Sequence, residues 1–295
     1  MSIDNAILIH THFDWFDMRI GRFKADGKAR IGVFEDEVVR DVTDAFDGFD
    51  DAISRPQDAA DVDGDEYDLS EITYLAPTTE KNTVFCAGLN YEAHAEESDI
   101  EVPEWPLIFM KLPRTLVGHE EPISYHTKVT DEIDYEAELA AVIGESARHV
   151  SSEDALDHVA GYTILNDTSA RDLQLGLKVG DDSLLDWFSG KAMERTTPVG
   201  PYVSVDEIDD PQDLDIASRV DGETMQDDNT EMMVRTVADL VSFVSSRVEL
   251  QPGDIIATGT PEGVGTFQDI QLHDGETVEV EVEGIGTLSN VVEEV

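Results

Sequence analysis

Basic residues are scarce in this chain: 19 Lys and Arg stand against 66 Asp and Glu in 295 residues, a formal net charge of −47. A field of that sign repels nucleic acid and anionic lipid, both of which are bound through basic patches, so neither is expected as a partner. Cysteine is nearly absent too. The single Cys86 excludes an internal disulfide and a cysteine-based zinc site, and its apolar surroundings, Thr83-Val84-Phe85-Cys86-Ala87, mark a buried, inert thiol. No apolar run approaches the roughly 18 residues of a membrane helix. The apolar stretch Ala6 to Ile9 is too short for the core of a secretion signal. These absences lead us to expect a soluble, cytoplasmic protein.

Hydrophobic residues make up 40% of the chain, enough for a sizeable core, and the acids are interleaved with apolar positions rather than gathered in blocks. A solvated acidic surface suited to concentrated salt is the physical reading, because screening removes the self-repulsion. The halophile-like character is an expectation that salt dependence can test.

Residues 1–17 read as an N-terminal extension, with Met18 a possible biological start. Its His10-Thr11-His12 is a metal-binding pattern only if further histidines join it. From Met18 short strands alternate with a turn at Asp26-Gly27, giving a small antiparallel unit over residues 18–75. That unit ends in an acidic helix-and-loop linker between Asp50 and Ser70. A larger unit then spans residues 76–295. Its strand candidates are 83–88, 106–111, 133–143, 161–166, 199–204, 214–220, 254–258 and 277–293. Helix candidates are 90–97, 152–158 (capped by Ser151 or Ser152), 169–177 and 232–247, the last with Val234, Val237, Leu240, Val241 and Val244 on one face. Asp221-Gly222 marks a hairpin. Strands outnumber helices without regular crossovers, so the expected class is α+β, mostly β.

The densest chemical signal is Asp134-Tyr135-Glu136-Ala137-Glu138, running into the nonpolar Leu139 to Ile143. On one strand Asp134, Glu136 and Glu138 share a face. They are either exposed acids or, if the strand is central, a cluster that needs a cation, for which oxygen-only ligands favour Mg²⁺, Mn²⁺ or Ca²⁺. Asp167, at the end of the apolar run Gly161 to Asn166, is a further ligand candidate or a helix N-cap. His94 and Glu97 lie three apart, on one face if their segment is helical. Gly259-Thr260-Pro261-Glu262-Gly263-Val264-Gly265 is glycine-rich but lacks the Gly-Lys-Ser/Thr ending of a phosphate loop, so no nucleotide or organic cofactor is expected.

These motifs, with Phe85-Cys86-Ala87-Gly88-Leu89-Asn90-Tyr91, Pro106 to Lys111, Gly190-Lys191 and Gly253-Asp254-Ile255-Ile256-Ala257-Thr258, make residues 75 to 295 resemble the fumarylacetoacetate hydrolase family. Residues 18–75 resemble the small N-terminal domain found in many members. The resemblance implies a mixed β-sandwich/β-roll catalytic domain and a homodimer. It also implies one Mg²⁺ or Mn²⁺ held by Glu136, Glu138 and Asp167, with Asp134 outside the ligand set.

The same resemblance makes the 90–97 segment a lid whose His94, oriented by Glu97, activates water as general base. Lys191 becomes the oxyanion or enolate partner. Lys111, Arg171, Gln174, Gly259 and Thr260 become substrate contacts, although Lys111 can equally be structural or hold a carboxylate, and Arg171 can simply pair with a neighbouring acid. The implied reaction is hydrolysis of a C–C bond in a small 2-oxo or β-diketo acid, of acylpyruvate or fumarylacetoacetate type, through an enolate stabilised by the metal. The alternatives on the same residues are isomerisation of a hydroxymuconate-type diacid, decarboxylation of oxaloacetate, dehydration of a 2-keto-3-deoxy sugar acid, or binding without catalysis.

Overall fold

A computed structural model describes residues 18–179, 182–205 and 207–295. The N-terminal extension with His10-Thr11-His12 lies outside the described residues. Among them no helix is long and apolar enough to cross a membrane.

The architecture is mostly β with short helices, the α+β class expected. A twelve-stranded mixed sheet runs in the order 66–68, 38–41, 28–34, 19–25, 197–204, 159–166, 137–143, 255–257, 84–88 and 107–111, with 73–75 and 116–117 paired off this path. A five-stranded sheet, in the order 223–229, 215–220, 277–282, 286–294 and 123–125, packs against it. Turn chemistry sets several of the connections. Asp26-Gly27 and Asp221-Gly222 both adopt positive φ, as two-residue hairpin turns require.

Strand Ala137–Ile143 explains why the core is continuous. All seven of its residues are buried, because a strand covered on both faces carries apolar residues at both parities. Leu139, Ala141 and Ile143 enter a core shared with Ile216, Val280, Leu288 and helix Val237–Ser245. Ala140 and Val142 enter the opposite core with Ile20, Val33, Phe49 and Ile53. The N-terminal strand Arg19–Ala25 also pairs directly with Thr197–Ser204, so the small unit's strands extend the large sheet.

Several expectations need correction. The acidic stretch 50–70 forms the helix and loop expected, but it is anchored to the core and its end, Glu66–Asp68, pairs with strand Val38–Asp41. Phe49, Ala52 and Ile53 form the inner face of helix Phe49–Ser54 and are buried, while the intervening acids face water and Asp51 and Asp58 pair with Arg55. The helix expected at 152–158 shrinks to a 3-10 turn at Ala155–His158. Ala155 is its one buried residue, and Ser151 Oγ donates to Asp154 instead of capping. The helix expected at 169–177 is Arg171–Leu175, preceded by a two-residue strand, Ser169–Ala170, and followed by a three-residue strand, Leu177–Val179. The helix expected at 232–247 is Val237–Ser245, started by a capping box between Thr236 and Asp239, which leaves Val234 outside the helical face. The single strand expected at 133–143 is interrupted at residues 135–136.

Candidate active site

That interruption builds the site. Ile133–Asp134 pairs with Ser169–Ala170, and Ala137–Ile143 pairs with Val159–Asn166 in the register Ala137↔Asn166. In the gap, the Glu136 N–H donates to Asn166 Oδ1 (3.0 Å) and the Asp167 N–H donates to the Glu136 carbonyl (2.9 Å). Glu136 and Asp167 are thereby fixed side by side. Glu138 follows the parity of Ala140 and Val142 on the adjoining strand. One carboxylate oxygen from each of Glu136, Glu138 and Asp167 lies within 4.8 Å of the others, and all three residues are buried.

Cations surround this cluster. Lys191 Nζ donates to Glu136 Oε2 (2.6 Å) and Asp167 Oδ2 (2.8 Å). Lys111 Nζ lies 2.6 Å from Asp167 Oδ1 and donates to the Thr168 carbonyl (2.8 Å) and Thr197 Oγ1 (2.9 Å). Arg171 donates to Asp134 Oδ2 (2.7 Å), Glu136 Oε1 (2.5 Å) and Gln174 Oε1 (2.8 Å). Asp134 is not solvated: it also accepts the Gly265 N–H (2.8 Å) and the Thr266 N–H (3.2 Å), tying the glycine-rich loop to Arg171.

Four buried carboxylates therefore meet three buried cations. The surplus falls on Glu138. Burial, then the Asp167 and Glu136 charges, push its pKa well above the ordinary carboxyl range, against a backbone hydrogen bond from Gly259 (3.0 Å). Glu136 goes the other way. Burial raises its pKa, but Lys191 and Arg171 together outweigh burial and bring it below the usual range. For Lys191, burial pulls the ammonium pKa down while Asp167 and Glu136 more than restore it.

The donor set fits a divalent metal ion on three counts. It offers oxygen ligands only, as hard cations prefer. It carries one more carboxylate than the buried cations beside it balance, a charge that a divalent ion would compensate. And Asp167 Oδ1, although close to Lys111, is buried without an aligned hydrogen bond, which leaves it lone-pair capacity.

His94 and Glu97 occupy helix Glu92–Glu97, and His94 Nδ1 lies 2.7 Å from Glu97 Oε1. The second oxygen of Glu97 accepts the Gly263 N–H (3.0 Å), so the 259–265 loop locks the carboxylate that orients the imidazole. His94, the three clustered carboxylates, Arg171, Gln174, Lys191 and Thr260 all line one cavity that opens to solvent.

Two expected substrate contacts lie elsewhere. The Gly259 N–H is committed to Glu138, and Lys111 stands behind Asp167 with its ammonium surrounded by protein oxygens; neither lines the cavity. Sequence reasoning also missed Gln226, a fully satisfied buried amide. It accepts from the Ala137 N–H (3.0 Å) and Ser218 Oγ (2.9 Å), and donates to Thr260 Oγ1 (2.8 Å) and the Pro261 carbonyl (2.9 Å). Its neighbours Asp227 and Asp228 gave no sign of a buried polar position. Asn90 does comparable work, donating to the Thr258 (2.7 Å) and Arg235 (3.0 Å) carbonyls.

A mixed β scaffold carrying a buried carboxylate cluster beside a His–Glu pair defines an enzyme class rather than one activity, and similarity to known proteins narrows it. Residues 83–293 match the family described as fumarylacetoacetate (FAA) hydrolase C-terminal, and residues 18–77 match the one described as Rv2993c-like, N-terminal. The chain belongs to the fumarylacetoacetate hydrolase family. It is 42% identical over 226 residues to the mitochondrial oxaloacetate tautomerase FAHD2A of Bos taurus, covering 76% of this chain and 70% of that one. The solved fumarylacetoacetate hydrolase of Exiguobacterium antarcticum superposes with a TM-score of 0.79 at 37% identity, covering 94% of this chain and 100% of that one. The 5-carboxymethyl-2-hydroxymuconate delta-isomerase of Mycobacterium smegmatis does so with a TM-score of 0.75 at 33% identity, covering 94% and 99%.

Proposed function

We propose that this protein is an isomerase of 2-oxo acids that catalyses enol–keto tautomerisation, with Mg²⁺ or Mn²⁺ held by Glu136, Glu138 and Asp167. Residues 76–295 carry the chemistry and 18–75 form the accompanying small unit. The observation that carries the reading is His94, held by Glu97, opening onto the same cavity as the carboxylate cluster. Similarity to an oxaloacetate tautomerase and to a hydroxymuconate isomerase supports it over other enolate chemistry.

The ion, when bound, supplies a Lewis acid that polarises the substrate's 2-keto group. The protein's own residues move the proton. With Glu97 accepting from Nδ1–H, His94 presents Nε2 as the base that takes a proton from C3 and, in the reverse direction, returns it. Thr260 Oγ1 already accepts from Gln226, so its own proton is left to donate to a substrate oxygen. Lys191 and Arg171 hold Glu136 ionised.

The test is the loss of the ultraviolet absorbance of enol-oxaloacetate together with deuterium wash-in at C3 followed by NMR, both in molar KCl with Mg²⁺ and with EDTA. Acceleration that needs the metal and falls about 10²- to 10⁴-fold in His94→Gln is expected. A wild-type protein that accelerates neither process would end this reading. C–C hydrolysis is the second reading, favoured by the same histidine if it activates water. Its signature is the release of two acids from an acylpyruvate.

A further inference from the structure

Between Glu136 and Glu138 stands Ala137, whose backbone N–H can only donate, and it does so to Gln226 Oε1 at 3.0 Å. At the other end of the same amide the Pro261 carbonyl can only accept, and it receives Gln226 Nε2 at 2.9 Å. These two backbone groups fix which way the amide points. The two remaining partners are hydroxyls, which could act either way, and their roles are now assigned. Ser218 Oγ stands on the oxygen side and must donate (2.9 Å). Thr260 Oγ1 stands on the nitrogen side and must accept (2.8 Å).

These four bonds use both hydrogens and both lone-pair positions of the amide, which leaves it no alternative arrangement. Gln226 is the one buried residue of strand Glu223–Asn229 and lies opposite Ser218 in the hairpin register, so the five-stranded sheet reaches into the site through this side chain. Thr260 is buried as well and lines the cavity. Among the described residues no acceptor takes its proton. A buried hydroxyl proton without a partner is costly, so it is aimed at whatever enters the cavity.

We propose that Gln226 is a positioning residue: by fixing the polarity of the Thr260 hydroxyl, it makes Thr260 a donor oriented in advance toward an accepting oxygen of the substrate, whether carboxylate, keto or enolate. The inference rests on the 2-oxo acid reading above and deepens it. Its physical basis is that a donor already aimed need not be reoriented when charge arrives or develops on the substrate. The same amide holds the N–H between two of the clustered carboxylates, so it also ties that donor to the strand carrying Glu138.

Replacing Gln226 by glutamate reverses the polarity with almost no change of shape. One carboxylate oxygen still accepts from Ala137, and the other accepts the proton that the substrate would have received. Steady-state tautomerisation of enol-oxaloacetate by the full chain, in molar KCl with Mg²⁺, should show KM raised about 10- to 100-fold in Gln226→Glu, the range for losing a hydrogen bond to a charged group. The fall in kcat should be smaller. The KM penalty should shrink at least about fivefold when the same substitution is made in Thr260→Val, which has no proton to redirect. Displacement of the loop, or repulsion between substrate and the added charge, would persist in that background, and a penalty that persists overturns the proposal. An unchanged KM in Gln226→Glu also overturns it and leaves the 2-oxo acid reading intact. A wild type that accelerates no tautomerisation overturns both. Gln226→Met, which keeps the volume and removes the donor, serves where Gln226→Glu does not fold: its KM penalty should likewise be lost in Thr260→Val. A Thr260→Val protein with the wild-type KM overturns the proposal whatever the Gln226 variants do.

Discussion

Replacing Lys111 by methionine tests the charge balance of the site. The ammonium is inaccessible to solvent, lies 2.6 Å from Asp167 Oδ1, and donates to the Thr168 carbonyl and Thr197 Oγ1. Methionine keeps most of the side-chain volume and removes the charge. Asp167 then depends on Lys191 alone, and four carboxylates face two cations. Breaking a buried ion pair from one side costs about 3–5 kcal/mol, because the remaining charge is left without compensation. At about 2–4 °C per kcal/mol for a chain of this size, the melting temperature should fall by roughly 10 °C in EDTA. Two further results follow from the same reasoning. Mg²⁺ should stabilise the variant more than the wild type, since a divalent ion supplies the missing charge. The deficit should also shrink at acidic pH, where a proton on the cluster replaces the ammonium. Thermal unfolding by circular dichroism with EDTA and with Mg²⁺ reads all three. A Lys111→Met protein melting within a degree or two of wild type in EDTA would refute the balance.

Other outcomes follow from single features. The raised pKa of Glu138 means that its contribution to metal-free stability is fully present below the ordinary value of 4.5 and is lost as pH rises through the folded-state value. The metal-induced rise in melting temperature should therefore grow as pH rises above the ordinary carboxyl value; a rise independent of pH would contradict the raised pKa of Glu138. The −47 charge predicts greater stability in molar KCl than in dilute buffer, because the Debye length shrinks to about 3 Å at about 1 M. Equal melting temperatures would dismiss the halophile-like reading. Gly263 has φ +97°, and a Cβ there would lie 2.4 Å from the Met225 carbonyl, so Gly263→Ala should shift the loop that holds Glu97 and lower turnover more than it lowers stability. Cys86 is buried, and burial, with Asp167 and Glu138 beside it, pushes its thiol pKa well up. It should react with thiol reagents only after unfolding, as absorbance titration with Ellman's reagent would show.

Part of this protein was legible in the chain alone. Strand alternation at Thr277–Val282 and the Asp-Gly turns depend on neighbours two residues apart, and the mostly-β class followed from them. The roles expected of Glu136, Glu138, Asp167, His94 and Glu97 came from the family resemblance, since spacing alone left them readable as exposed acids, a helix cap and an exposed helix. In the acidic stretch 50–70 the helix and loop were legible, but its composition masked the spacing of Phe49, Ala52 and Ile53 that anchors it, because burial depends on which face meets the core.

Tertiary structure decided what spacing cannot express. The register between Ala137–Ile143 and Val159–Asn166 sets Asp167 beside Glu136, two residues 31 positions apart in the chain. The break at residues 135–136 sends Asp134 to Arg171 and the glycine-rich loop, away from the acids it was expected to accompany. Packing turned Lys111 from a candidate substrate contact into a support for Asp167, and committed the Gly259 amide to Glu138. Gln226 could not have been found from its neighbours, since its four hydrogen bonds reach residues from three separate stretches of the chain. The sequence by itself determined which chemical groups are present and the local periodicity of their backbone. Which carboxylate is left with the surplus charge, and which cation is left for a substrate, depends on distances of a few ångströms between distant segments, and only the folded chain sets those.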